Sequence, residues 1–551
     1  MPTHLVNLDA LIKREDFESS TGDLSPKSRR LGAELKLEDL ERTYFHLLRK
    51  PDFQRATTNW GPDKVVEFVK SFLDGDLIPS VIMWWSSLSG TVFVIDGAHR
   101  ISALMAWVHD DYGDGRISGP FFGHDVPAAQ KRFARTAKQL IEQQIGAYQR
   151  LKYVLQNPSE SPDPIMLRRA RNLGTFKIDL QWVEGNAETA EGSFFRINGS
   201  ASIIDHTELE IIKARRKPNA IATRALMHAG TGHKYWSAFP KDVIGEIETL
   251  SRDIYEALFK PILESPIKTV DLPIAGQGYS ADTFKMILDL VNLVNDVSPA
   301  MWRQREPRGK RKEDTIPILA DDIDGLATVK FLKGVRDAAR LISGTYAGSL
   351  GLHPVVYFYG ANGRFQPAAF LATVKFVREL RAGDMFEKFT DVRHDFEEFL
   401  VRHRHFVSAI GHGYGSRTRP LEALVTMYNM ILTEIREGRT SDEAIRTRLL
   451  SEPKLKELRS ATEDSDKQYR KGFSRDEKSA AYLRDAIDRP VRCKICEARL
   501  HFRSISMDHT VRVQDGGMGN PENAQSTHFY CNTGYKESRH SKAIKDARSS
   551  S

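Results

Sequence analysis

The chain has 551 residues, 40% of them hydrophobic and 28% charged, with a net charge of +7. That is room for two to four domains of ordinary soluble composition, basic enough to allow a nucleic-acid partner. No apolar run approaches the length of a bilayer span and Met1–Ser20 lacks a signal-peptide core, so a cytoplasmic protein without membrane partners is expected.

Residues 1–45 read as a polar lead-in, with helical spacing over Leu35–Leu40. An amphipathic helix is predicted from Pro62 to Phe72, burying Val65, Val66, Phe68, Val69 and Phe72 and ending at Gly75. Leu77–Trp84 reads as a strand, Gly90 closes a hairpin, and Val92–Ile95 is a second strand. It runs into Asp96-Gly97-Ala98-His99-Arg100 and a helix over Ile101–Trp107. A strand, a glycine turn and a helix start carrying an arginine make a place for an anion such as a phosphate. Asp96 would orient Arg100 or bind a metal; the plainer reading makes Asp96 a helix cap.

These pieces resemble the DUF262 family, whose fold is similar to ParB and sulfiredoxin. The resemblance rests on Phe53-Gln54-Arg55, Trp60, the Asp96–Arg100 turn and Phe195-Arg196-Ile197-Asn198-Gly199, with Thr207–Glu210 as the start of a following helix. Ala98 stands where the family has glutamine. Over residues 45–235 the resemblance implies a ParB-like α/β domain that binds or hydrolyses a nucleotide (NTP), with Gln54, Arg55, Asp96, Gly97, His99, Arg100 and Asn198 as its contacts. It also implies kinship with GmrSD-type and SspE-type anti-phage restriction proteins.

Further along, Ala128–Tyr153 has a long helical pattern and Lys177–Val183 a short strand pattern. His228–Lys234 fails the phosphate-loop pattern, since His233 replaces its second glycine. Residues 240–437 are mainly helical, with apolar spacing over Val243–Leu258, Asp282–Val294, Val329–Leu341 and Leu421–Ile435. Trp302–Asp314 is a basic run that either contacts a DNA backbone or forms a solvated loop. Gly351–Tyr359 is expected in the core with His353, and no role is given to His394, His403, His405 and His412. Residues 438–489 read as a charged connector that would let the segment after it be held back or released.

All three cysteines lie near the end, as Cys493-x-x-Cys496 and Cys531, with His528 three residues before the last. Two ligand pairs of these types have the spacing of a closed zinc site. Between and beside them lie Asp508-His509, Asn523 and Asn532. The segment 490–542 resembles the HNH nuclease family, with His528 where zinc-bearing members carry a cysteine and no proline after the Asp-His pair. The resemblance implies a small ββα-metal fold pinned by structural Zn²⁺. Within it, His509 is the general base, Asp508 and Asn532 hold catalytic Mg²⁺ or Mn²⁺, Asn523 braces the histidine loop, and Lys536 approaches the phosphate. Residues 543–551 are expected to be a disordered polar tail.

The predicted fold class is thus α+β multidomain. A ParB-like domain at 46–239 precedes a helical domain at 240–437, a connector and the HNH unit. The expected function is a metal-dependent DNA endonuclease of a prokaryotic anti-phage system, regulated by a front domain that senses a nucleotide or modified DNA. Its partners would be DNA and a nucleotide, with a homo-oligomer allowed. The rival reading is a non-catalytic ParB-like DNA-binding regulator with a zinc knuckle.

Overall fold

The computed structural model describes residues 6–15, 17, 32–54, 57, 60–86, 89–122, 124–160, 163–200, 211, 214–231, 235–278, 281–302, 318–415, 418–460, 473–488 and 490–549. Arg55, Thr207–Glu210, His233-Lys234 and most of the basic run after Trp302 lie outside them, as do the side chain of Asn198 and the middle of the expected connector. The fold is mixed α/β, and the chain divides into two compact units.

The first unit holds residues 1–216 with short later segments. Its sheet has strands β1 (Lys13–Glu15), β2 (Glu34–Leu35), β3 (Leu48–Pro51), β4 (Val81–Trp85), β5 (Val92–Asp96) and β6 (Ile178–Trp182), in the order β1-β3-β5-β4-β6-β2. β1, β3 and β5 run parallel, and β4 returns antiparallel to β5 across the Gly90 turn. Alternation sorts the side chains. Val81, Met83, Val92 and Val94 face one core, packed with α1 (Pro62–Asp74) and α2 (Ala98–His109). Trp84, Phe93 and Ile95 face the other, with Phe17, Phe53 and Phe194 of α3 (Ala187–Ser200). Both faces are covered, so the strands read as continuous apolar runs.

Helix α1 begins at Pro62, which lacks only an amide the first turn does not need, and ends at Gly75 with φ 85°. The long pattern after Ala128 is two helices, Ala128–Gln144 and Tyr148–Gln156. Gly146, at φ 97°, turns the chain between them. Residues 195–199, expected as a turn, are helical: α3 packs Ala187, Ala190 and Phe194 into the second core and runs on to Ser200 despite Gly192 and Gly199.

The second unit carries α4 (Lys241–Phe259), α5 (Ala281–Val294), α6 (Leu326–Ile342), α7 (Pro367–Ala382), α8 (Phe386–Arg402), α9 (Arg404–Tyr414), α10 (Leu421–Arg436) and α11 (Arg475–Ile487). Leu350–Tyr359 is buried throughout, His353 included. The cysteine-bearing segment belongs to this unit. It contains β7 (Ile505–His509) and β8 (Ala524–His528), paired antiparallel, then one π-helical turn over Cys531–Tyr535 and α12 (Lys536–Ser549). The α12 backbone stays helical past residue 542, where a disordered tail was expected, because Lys536–Ser549 contains neither glycine nor proline. Among the described residues, no helix is long and apolar enough to cross a membrane.

Candidate metal centre and phosphate site

Cys493 and Cys496 sit in a tight turn in which the Glu497 amide returns to the Cys493 carbonyl at 2.9 Å. His528 ends β8, and Cys531 follows it in the π-helical turn. The three sulfurs and a His528 ring nitrogen all lie within 4.8 Å of one another. Nδ1 of His528 is 3.4 Å from the Cys496 sulfur and 3.7 Å from that of Cys531. Tetrahedral zinc with ordinary Zn–S and Zn–N bonds would place such atoms about 3.5 Å apart. The ring's Nε2 meets the Arg499 carbonyl at 3.1 Å, which fixes the tautomer and leaves Nδ1 as the metal-facing atom.

The protonation pattern suits a cation. Hydrogen bonding to Cys496 and Cys531 draws the Cys493 thiol far down, and the same contact with Cys493 pushes Cys496 up to about 12. Burial, with Arg393 nearby, lowers His528 and keeps its imidazole neutral. A divalent ion supplies the charge that lets all three sulfurs ionise. The donor set therefore fits zinc.

This segment leans on the helices of its own unit. Arg393 and Glu397 of α8 form a buried pair at 2.8 Å. Arg393 also donates to the carbonyls of Leu350 and Gly351, while Glu397 accepts the Arg499 amide at 3.1 Å. Gly351 is close enough that a Cβ there would lie 2.9 Å from the His528 ring. His501 is buried against Ser343 and Ser504, with the His353 ring 6.1 Å away and Arg503 as its charged neighbour. Burial, reinforced by Arg503, holds its pKa down to about 3.

An unfolded histidine takes its proton at about 6.5, whereas folded His501 stays neutral. The unfolded state therefore binds more protons below that pH, and acid costs stability. We expect this residue alone to remove about 1.4 kcal/mol per pH unit as pH falls below about 6.5. Urea unfolding at pH 7.0 and 5.5 checks this, since His501→Phe should flatten the slope. Equal slopes in the two proteins would contradict it.

On β7, Ser506 and Asp508 project to one face and Met507 and His509 to the other. Asp508 is 7% exposed. Its carboxylate accepts Lys536 Nζ at 2.9 Å on both oxygens and the Gln525 amide at 2.9 Å. Lys536 also donates to the His509 carbonyl at 2.8 Å, so it bridges Asp508 and the end of β7. Asn532, one turn earlier, donates to Ser506 Oγ at 2.9 Å and the Met507 carbonyl at 3.2 Å. Asp508, Asn532 and Lys536 thus share a face. Neither ring nitrogen of His509 makes a hydrogen bond among the described residues.

Asn523 clamps the loop after His509. Its side chain accepts the Val511 amide at 2.7 Å and donates to the carbonyls of Val511 and Met518 at 3.0 and 2.9 Å. Gly517 completes the turn: a Cβ there would collide with the Val511 carbonyl at 1.8 Å.

In the first unit, Gln54, Asp96, Gly97, His99 and Arg100 lie past the ends of parallel β3 and β5, where such sheets place ligands. Asp96 does not cap α2. Glycine fills that position, with Gly97 at φ 95°, and Asp96 accepts Arg100 Nη2 at 2.6 Å. A Cβ at Gly97 would press Arg100 and Val81 at 2.9 and 2.8 Å. Gln54 donates to the Ile95 carbonyl at 3.3 Å, while its Oε1 and Arg100 Nε are buried without a hydrogen-bond partner among the described residues. The His99 ring lies 5.7 Å from that of Trp60.

Sequence reasoning missed a buried cluster beside this group. Asp9 bonds Arg14 at 3.0 Å and Lys50 at 2.6 Å. Burial would raise the Asp9 carboxyl, but Arg14 and Lys50 hold it well below its usual range. Burial brings Lys50 down to about 8 despite Asp9. Only the alternation of charge and leucine around these positions hints at it.

Neither a curated protein nor a solved structure matches the chain. Residues 36–215 match the model of the N-terminal domain of GmrSD restriction endonuclease. This stretch covers β3 to β6 and the group around Asp96 and Arg100, with Lys50 but neither Asp9 nor Arg14 of the buried cluster, so residues 36–215 are similar to the N-terminal domain of GmrSD restriction endonuclease.

Proposed function

We propose that the chain is a DNA endonuclease of a GmrSD-type restriction system, with its cutting centre in the HNH-like segment 490–549. The observation that carries this reading is the placement of Asp508, Asn532 and Lys536 on one face of a zinc-type hairpin, with Asn523 fixing the loop that follows His509.

Asp508 and Asn532 offer hard oxygen donors that would hold Mg²⁺ or Mn²⁺. Such an ion, when bound, neutralises charge developing on a phosphodiester. His509 ends β7 one residue after Asp508 and across the pleat from it, so in this reading its side chain, at the last position of the strand, turns to the Asp508 face, where a ring nitrogen would take the proton of the attacking water. Asn523 keeps the loop, and with it the ring, in place. Lys536 bonds both Asp508 oxygens and ties them to the His509 backbone. The zinc ligands set the hairpin's register on the final helix and touch no substrate. DNA is the substrate that the restriction family implies for this chain.

The front domain would admit a nucleotide at Gln54, Asp96, Gly97, His99 and Arg100. Its buried, unsatisfied Gln54 Oε1 and Arg100 Nε fit a polar ligand. A second reading draws on the engaged Asp508 carboxylate: with Lys536 and Gln525 on it, the pair would be structural and the segment a DNA-binding zinc module.

Cleavage of modified and unmodified phage DNA, with Mg²⁺ or with chelator and with each nucleotide added in turn, tests the proposal. Mg²⁺-dependent cutting is expected, with a nucleotide response lost in Arg100→Ala. Binding without cutting under every condition favours the second reading.

A further inference from the structure

The turn that carries Asp96 and Arg100 leans on an arm of the chain, residues 6–15. The arm ends in β1, which pairs in parallel with β3 and sets Arg14 opposite Lys50. Two cations facing each other across strands repel, and both of these are buried. Asp9, on the same arm, answers both. Its carboxylate meets Arg14 at 3.0 Å, Lys50 at 2.6 Å and the Thr57 amide at 3.0 Å. Desolvation offsets most of the attraction in such a buried cluster, so its use lies in the geometry it fixes.

That geometry bears on the chain beyond β3. Nη1 of Arg14 donates to the Pro51 carbonyl at 3.0 Å and also to the Gln54 carbonyl. One guanidinium thus clamps both ends of a turn that the Gln54 amide closes on the Pro51 carbonyl at 3.1 Å. Gln54 then reaches β5: its Nε2 donates to the Ile95 carbonyl at 3.3 Å, one residue before Asp96. A second line starts at the other end of the arm. The Val6 and Leu8 amides donate to the Trp60 and Thr57 carbonyls at 2.8 and 3.0 Å. The Trp60 ring in turn stands 5.7 Å from that of His99. Both lines end on one turn, whose Asp96 side chain is 36% exposed and accessible to a ligand.

We propose that Asp9 and Arg14 are positioning residues of the front-domain site. Acting through Gln54, with Trp60 held on the other side, they fix where the turn presents Asp96 and Arg100. Neither touches the ligand. What the turn binds follows from the nucleotide reading above, whereas its placement follows from these hydrogen bonds. The arm precedes the family-matched residues, so the site is completed by a part of the chain outside them.

Arg14→Lys keeps a cation beside Asp9 but lacks the fork that spans Asp9 and the two carbonyls. In the zinc-loaded full chain it should speed amide exchange over residues 96–101 about tenfold or more and leave α1 protected. Calorimetric titration with ATP and with GTP should find whichever binds the wild type weakened about tenfold, the worth of a charged hydrogen bond. Asp9→Asn, which keeps the shape of the acceptor without its charge, should act in the same direction. Glu15→Gln is the control. It breaks the Arg49–Glu15 pair on the same two strands and spares the clamp, so exchange and affinity should match wild type. Wild-type exchange and affinity in Arg14→Lys would overturn the positioning role. An equal loss in Glu15→Gln, or exchange quickened as much in α1 as in the turn, would also overturn it and leave the arm a plain edge strand. Should the wild type bind neither nucleotide while Arg14→Lys still loosens the turn, the nucleotide reading fails and the positioning role holds.

Discussion

Removing zinc from the full chain should unfold residues 490–549 and leave the helical body standing. The reason is size. The segment's own buried cluster is Cys493, Cys496, Ala498, Leu500 and Cys531, with Ile495 and Ile505 against it. So few buried side chains are too small a core for a segment of this length to hold its fold alone. A structural zinc site supplies about 10–16 kcal/mol in isolated zinc modules. Here the Arg393–Glu397–Arg499 contacts share that task, which places the effect at the lower end.

Elemental analysis should find one zinc per chain in the wild type and none in Cys493→Ser. Amide exchange in β7 and β8 should then quicken by orders of magnitude, while α6, α7 and α10 keep their protection. Unchanged protection of the hairpin after zinc removal would mean that the helices alone hold it.

The second large effect concerns His509. Loss of a general base slows a reaction by about 10²–10⁴-fold, equivalent to about 3–5 kcal/mol of barrier. His509→Ala should reach that range without disturbing the fold. The ring makes no hydrogen bond among the described residues, whereas the loop behind it is held by Asn523 and Gly517. Zinc content and unfolding midpoint should therefore match wild type. A variant that loses zinc along with activity would place His509 in the scaffold instead.

Much of this was legible in the chain, for local reasons. Helix α1 announces itself through Pro62, its apolar spacing and Gly75, and the buried strands through runs such as Val92–Ile95. The zinc ligands are legible because two short pairs of ligating residues have few other uses. The Asp508–Lys536 pair was not. It depends on the π-helical turn over Cys531–Tyr535, which sets where the face of α12 meets β7. The support from Arg393 and Glu397 was equally hidden, since those residues lie about a hundred positions from Arg499 and look like an ordinary i,i+4 surface pair. Residues 195–199 misled in the other direction, because a motif read as a turn sits inside a helix that packs Ala187, Ala190 and Phe194 into the core in spite of its glycines.

The central claim is that one carboxylate and one imidazole on neighbouring positions of β7 cut a phosphodiester. Single-turnover relaxation of supercoiled plasmid by the zinc-loaded full chain in Mg²⁺ measures it directly, with wild type beside Asp508→Asn and His509→Ala. The account predicts relaxation by wild type, abolished by chelator, and a loss of at least a hundredfold in each variant at undiminished zinc content. Equal relaxation by all three proteins, or none by the wild type under any nucleotide condition, would contradict it.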